Sequence, residues 1–125
     1  MSRHRLNLLL RLIPALILLL GFGHSALSHA ILLESVPAVD STVRGPDVSV
    51  RLRFNVRIDR SRSRLTLLLP DGKSATLVIK EEEAPDSISA QATGLVHGTY
   101  RLRWQVLASD GHITGGEVPF RVTNP

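Results

Sequence analysis

The stretch ASDGHITGG, Ala108 to Gly116, sets a carboxylate and an imidazole two positions apart, at Asp110 and His112, with Gly111 between them. In an extended segment, residues i and i+2 share a face. Both side chains would then point the same way and offer an oxygen and a nitrogen to a divalent metal. On its own the motif also reads as a surface turn, so it needs further donors before it makes a site. The chain contains no cysteine, and its single methionine is Met1. Zinc-finger, blue-copper and iron–sulfur centres are therefore excluded, and Cu(I) lacks its usual soft ligands. No serine stands with an obvious third partner, so a hydrolytic triad is not favoured.

More donors come from the start of the chain. MSRHRLNLLLRLIPALILLLGFGHSALS carries Arg3 and Arg5 ahead of an apolar run from Leu12 to Gly23. That run fits the ~7–15 residues of a secretory signal core and falls short of the roughly 17–25 of a membrane span. Arg11 interrupts any longer reading. Residues 1–28 are expected to be a cleaved signal peptide, leaving 29–125 as one domain. Small residues at Ala26 and Ser28 permit a cut before His29. Ser28 and Ala30 equally permit a cut after Ala30, which would discard His29. If His29 is the first residue, its α-amine and ring Nδ1 can chelate one ion. With the His112 imidazole and the Asp110 carboxylate they make a tetragonal N/O set, which suits Cu(II), the top of the divalent affinity order. An α-amine, with an ordinary pKa near ~8, must lose its proton to bind, so acid should weaken the site.

The other charged groups read as solvated. Arg51, Arg53, Arg57, Arg60, Arg62 and Arg64 could meet an anionic partner. No aromatic residues interleave with them, as single-strand binding would prefer, and they fit the exposed face of one hairpin, where charge discourages edge pairing. Glu81–Asp86 lacks the ligand spacing of an EF-hand and reads as a loop. His97 reads as an exposed turn residue. Residues 29–125 carry twelve Lys and Arg against eleven Asp and Glu, a net +1 rather than the +4 of the whole chain. Overall basicity therefore says little about nucleic acid.

Strands must position these groups. Val48, Val50, Leu52 and Phe54 alternate with polar residues, as do Tyr100, Leu102, Trp104 and Val106, and then Val118, Phe120 and Val122. Leu65, Leu67 and Leu69 share a face, Pro70–Gly72 is a turn signal, and Ala75–Lys80 reads as the returning strand. Pro119 suits an edge strand. Period-two alternation with one polar face marks antiparallel sheets half exposed to water. Several short strands and no helical period predict an all-β sandwich or small Greek-key barrel.

Taken together, HAILLESVPAVDSTV (His29–Val43), VSVRLRFN (Val48–Asn55) and GTYRLRWQVLASDGHITGGEVPFRV (Gly98–Val122) resemble the CopC family of periplasmic copper-binding proteins. The resemblance implies an immunoglobulin-like Greek-key β-barrel or sandwich that binds one Cu(II) ion through His29, Asp110 and His112, and it favours the cut before His29. It also implies a CopD-type inner-membrane protein as partner. Three positions depart from the family pattern. Ile113 stands where Pro usually follows the turn His, Val56 stands where some members carry Glu, and there is no Met-rich Cu(I) loop. The missing Met-rich loop favours a Cu(II)-only binder that sequesters or delivers copper, and the few aromatic residues, Phe54, Tyr100, Trp104 and Phe120, all on expected core faces, argue against an enzyme. The alternatives are a histidine-brace oxidative enzyme, which needs an exposed aromatic surface, and a metal-free immunoglobulin-like interaction module.

Overall fold

In the computed structural model, which describes residues 29–81 and 84–124, the alternating runs become strands of two facing sheets. The order is β1 (Leu32–Val36), β2 (Ser41–Arg44), β3 (Val48–Phe54), β4 (Ile58–Leu68), β5 (Ser74–Leu77), β6 (Ser87–Ala92), β7 (Gly98–Ala108) and β8 (Ile113–Thr123). One sheet has the order β1-β3-β6, the other β2-β8-β7-β4-β5. All pairs are antiparallel except β2 with β8. This is the expected all-β, immunoglobulin-like sandwich. Among the described residues no helix is long and apolar enough to cross a membrane. The expected signal peptide, residues 1–28, lies outside them.

The core forms where the alternation places it. Val50, Leu52 and Phe54 of β3 face Leu102, Trp104 and Val106 of β7 and Val118, Phe120 and Val122 of β8, all almost fully buried. Phe54 meets Trp104 edge-on at 5.2 Å between ring centroids, and Tyr100 stacks on Phe120 at 5.6 Å. The Tyr100 hydroxyl donates to the Val96 carbonyl at 2.8 Å, which satisfies the one polar atom of a buried ring. Gly116 makes room for Trp104: a Cβ there would lie 2.6 Å from the indole ring.

Three expectations change. The Arg set is not one hairpin face, because β3 and β4 lie in different sheets. Arg51 and Arg53 project from the three-stranded sheet, while Arg60, Arg62 and Arg64 belong to the five-stranded one. The alternation of β3 runs on so closely into the next segment that the change of sheet leaves no mark in it. The returning strand stops at Leu77, and by Lys80 the chain has turned to the other sheet, where its N–H donates to the Ser89 carbonyl at 2.8 Å. β8 is not an edge strand, since β2 flanks it. That pairing begins only at Ser41 opposite Phe120. The Pro119 carbonyl faces β2, accepting from Asp40 N–H at 2.7 Å. In a strand the amide position of a residue lies on the same side as its carbonyl, so the missing donor falls where β2 has barely begun.

Candidate metal centre

β7 ends at Ala108 and β8 begins at Ile113, and the four residues between them close a tight turn. Ala108 N–H donates to the His112 carbonyl at 2.9 Å, and Gly111 N–H donates back to the Ala108 carbonyl at 2.9 Å. Gly111 has φ +93°, a region that side chains other than glycine's rarely adopt. Asp110 and His112 come together through this turn rather than along an extended segment. Asp110 Oδ1 accepts the His112 N–H at 3.1 Å, an Asx-type bond two residues on, and lies 3.3 Å from His112 Nδ1. The His112 backbone N–H, and then its ring, hold the Asp110 carboxyl below its ordinary pKa. With Nδ1 against the carboxylate, Nε2 is the ring nitrogen left to face a ligand. Such a carboxylate–imidazole contact orients metal-binding histidines.

His29 reaches the same place from 83 positions upstream. The short connection from β3 to β4 serves both halves of the site. Asn55 grips the N-terminal segment: Ile31 N–H donates to Asn55 Oδ1 at 2.7 Å, and Asn55 N–H donates to the Ile31 carbonyl at 3.1 Å. Two residues on, the Arg57 carbonyl accepts from Ser109 N–H at 3.1 Å, anchoring the turn. The connection is itself held by the carbonyls of Asp86 and Pro85, which accept from Phe54 and Ile58 N–H at 2.9 Å each. Ala30, buried beside exposed His29, plugs the segment into the core.

The His29 and His112 rings stand 5.8 Å apart between centroids, inclined at 67°. Two imidazoles bound to one ion at about 2 Å have centroids about 4.5 Å apart at right angles and about 6.3 Å apart when opposed. The observed spacing lies inside that span, and the donor types suit Cu(II). Among the described residues, no three His, Cys, Asp or Glu side chains converge tightly enough to hold an ion by themselves. Asp110 turns its Oδ1 to His112 rather than toward His29.

The other candidates lie elsewhere. His97 is exposed just before β7, at the end of that strand away from the turn. Glu82 and Glu83 fall outside the described residues. Val56 is half-buried and packs on the core, and Ile113 is 62% exposed at the start of β8. Sequence reasoning missed Asn55 and Arg57. Asn55 ends a clear alternating run, where an amide reads as an ordinary turn residue, and Arg57 acts through its carbonyl, which has no sequence signal.

Residues 32–123 match the CopC domain family. The chain belongs to the CopC family. Copper resistance protein C of Escherichia coli is 31% identical over 114 residues, covering 84% of this chain and 90% of that protein. Among solved structures, CopC from Methylosinus trichosporium OB3b is 29% identical with a TM-score of 0.69, covering 77% of this chain and 95% of that one. PcoC, a methionine-rich copper resistance protein from Escherichia coli, is 29% identical with a TM-score of 0.62, covering 76% and 99%. Unlike a methionine-rich relative, this CopC-family chain has methionine only at position 1.

Proposed function

We propose that this CopC-family protein is exported to the periplasm, loses residues 1–28, and there binds one Cu(II) ion to sequester or deliver it. His29 supplies its α-amine and a ring nitrogen, His112 a second ring nitrogen, and Asp110 an oxygen. The approach of the His29 and His112 rings to 5.8 Å carries this reading, because nothing in the packing of a sandwich requires two exposed histidines to meet. The absence of cysteine, and of methionine after position 1, supports a single Cu(II) site. The four aromatic residues of 29–125 are all buried, so the surface lacks the aromatic platform that an oxidative enzyme would offer a polysaccharide, and carriage is favoured over catalysis. A CopD-type membrane protein is the proposed recipient.

The test begins with mass spectrometry of the processed N-terminus. Cu(II) EPR spectra and affinities are then compared for that form and for one with an extra residue before His29. The extended form should bind far more weakly and lose nitrogen hyperfine structure. Equal binding would remove the amine from the site. A thermal midpoint unmoved by Cu(II) would favour the metal-free module instead.

A further inference from the structure

The solvent face of the five-stranded sheet gathers one kind of charge. Register places Arg121 of β8 opposite Thr42 of β2 and Thr99 of β7, Arg103 opposite Glu117, Arg101 opposite Pro119, and Arg64 of β4 opposite Gln105. Arg44 follows on β2, opposite Thr123. All five arginines are exposed. One acid lies among them, Glu117, and it is shared by Arg101 at 3.4 Å and Arg103 at 3.0 Å. Arg44, Arg64 and Arg121 have no carboxylate partner among the described residues. Asp40 borders the face in the turn leading into β2.

The face therefore carries +4, while the rest of residues 29–125, with seven Lys and Arg against ten Asp and Glu, carries −3. A nearly neutral molecule is strongly polarised. From β2 to β4 the patch spans three strand spacings, about 14 Å. It holds no aromatic residue, and Leu68 is only partly exposed; beyond Arg64, at the turn end of the face, stand exposed Ile113 opposite Leu107, and Asp59.

We propose that this face docks the protein on an anionic phospholipid surface. A protein partner would ordinarily bring an apolar, aromatic-rich patch core, and the only large exposed apolar side chain this face offers is Ile113, at its turn end, away from Arg44, Arg101 and Arg121. Headgroup phosphates can instead move to meet each guanidinium, and arginine forks match phosphate oxygens. The β7–β8 turn with His112 stands at the end of this same sheet, so docking leaves it at the rim beside the membrane plane, open to an embedded acceptor. The docking itself does not depend on the copper reading.

The experiment is co-flotation of the processed protein with vesicles of phosphatidylcholine containing 30% phosphatidylglycerol, and with pure phosphatidylcholine, without copper. Binding is expected only to the anionic vesicles and should be lost in 0.5 M salt, where screening is short-ranged. Each arginine near such a surface is worth about a five-fold change in partitioning. Arg64→Gln with Arg121→Gln should therefore weaken binding about 25-fold. Arg51→Gln with Lys80→Gln, which lowers the net charge equally from the other side of the sandwich, should change it less than three-fold. Failure to float with anionic vesicles overturns the proposal. So does equal weakening by both pairs, or tighter association with polyglutamate than with the vesicles, which would point to an acidic protein. Copper affinity should be unchanged in both double variants, which separates this test from that of the metal site.

Discussion

Asn55 is the residue on which the N-terminal half of the centre hangs. Its side-chain oxygen and its backbone N–H both engage Ile31, two residues from His29. Asn55→Ala removes the acceptor for Ile31 N–H but keeps the backbone bond. The stability cost should be small, about 0.5–1.5 kcal/mol, while Cu(II) affinity falls about ten-fold, or about 1.4 kcal/mol, with altered EPR parameters. Asn55→Asp keeps the oxygen and should restore the spectrum. An unaltered spectrum in Asn55→Ala would show that His29 is placed by other means. Asp110 bears on acid behaviour. Its folded pKa is lowered by the His112 N–H, so its contribution to stability is present above the ordinary carboxylate value near ~3.9 and is lost as pH falls through the folded value. Being exposed, it contributes little. Amine and imidazole donors compete with protons at much higher pH than carboxylates do. Copper should therefore leave before the sandwich unfolds, and an acid titration followed by EPR and circular dichroism should give two separate midpoints, copper loss first. A single coincident midpoint would mean that the site and the fold titrate as one.

At the level of strands, the sequence was legible wherever one face is bulky and apolar. β3, β7 and β8 announce themselves by alternation and fall where expected. β6, SISAQA, buries only Ile88 and small residues, so its inward face carries almost no hydrophobic signal. β2 has four residues and takes its sheet position from a parallel partner almost eighty residues away, which no local pattern can reveal. The candidates His29, Asp110 and His112 could be named by residue type, but not how the fold brings the His29 and His112 rings together. The turn conformation depends on Gly111, and the meeting of the two halves depends on the hydrogen bonds of the crossover. Gly116 illustrates a positional demand inside a strand. Gly116→Ala would drive a Cβ into the buried Trp104 ring, at a cost of about 1–3 kcal/mol. That should lower the thermal midpoint by about 4–8 °C per kcal/mol, and Trp104 fluorescence should shift with it. An unchanged midpoint would mean that the indole has room to move.

Across the whole molecule, the two imidazoles belong to different layers. His29 leads into β1 of the three-stranded sheet, and His112 leads into β8 of the five-stranded sheet. An ion held by both is a removable clasp between the layers. β1 is five residues long, interrupted by a bulge between Leu32 and Glu34, and pairs with β3 on one side alone. Opening the clasp then needs only that strand to peel, with the core intact, since edge elements open at far lower free energy than central ones. For a copper ion held by both rings, dwell time should then follow strand fraying. Variants that speed hydrogen exchange at β1 amides should speed copper release in proportion, and release that ignores β1 exchange would refute this. A recipient that pairs with the free edge of β1 could then hasten unloading without ever touching the ion.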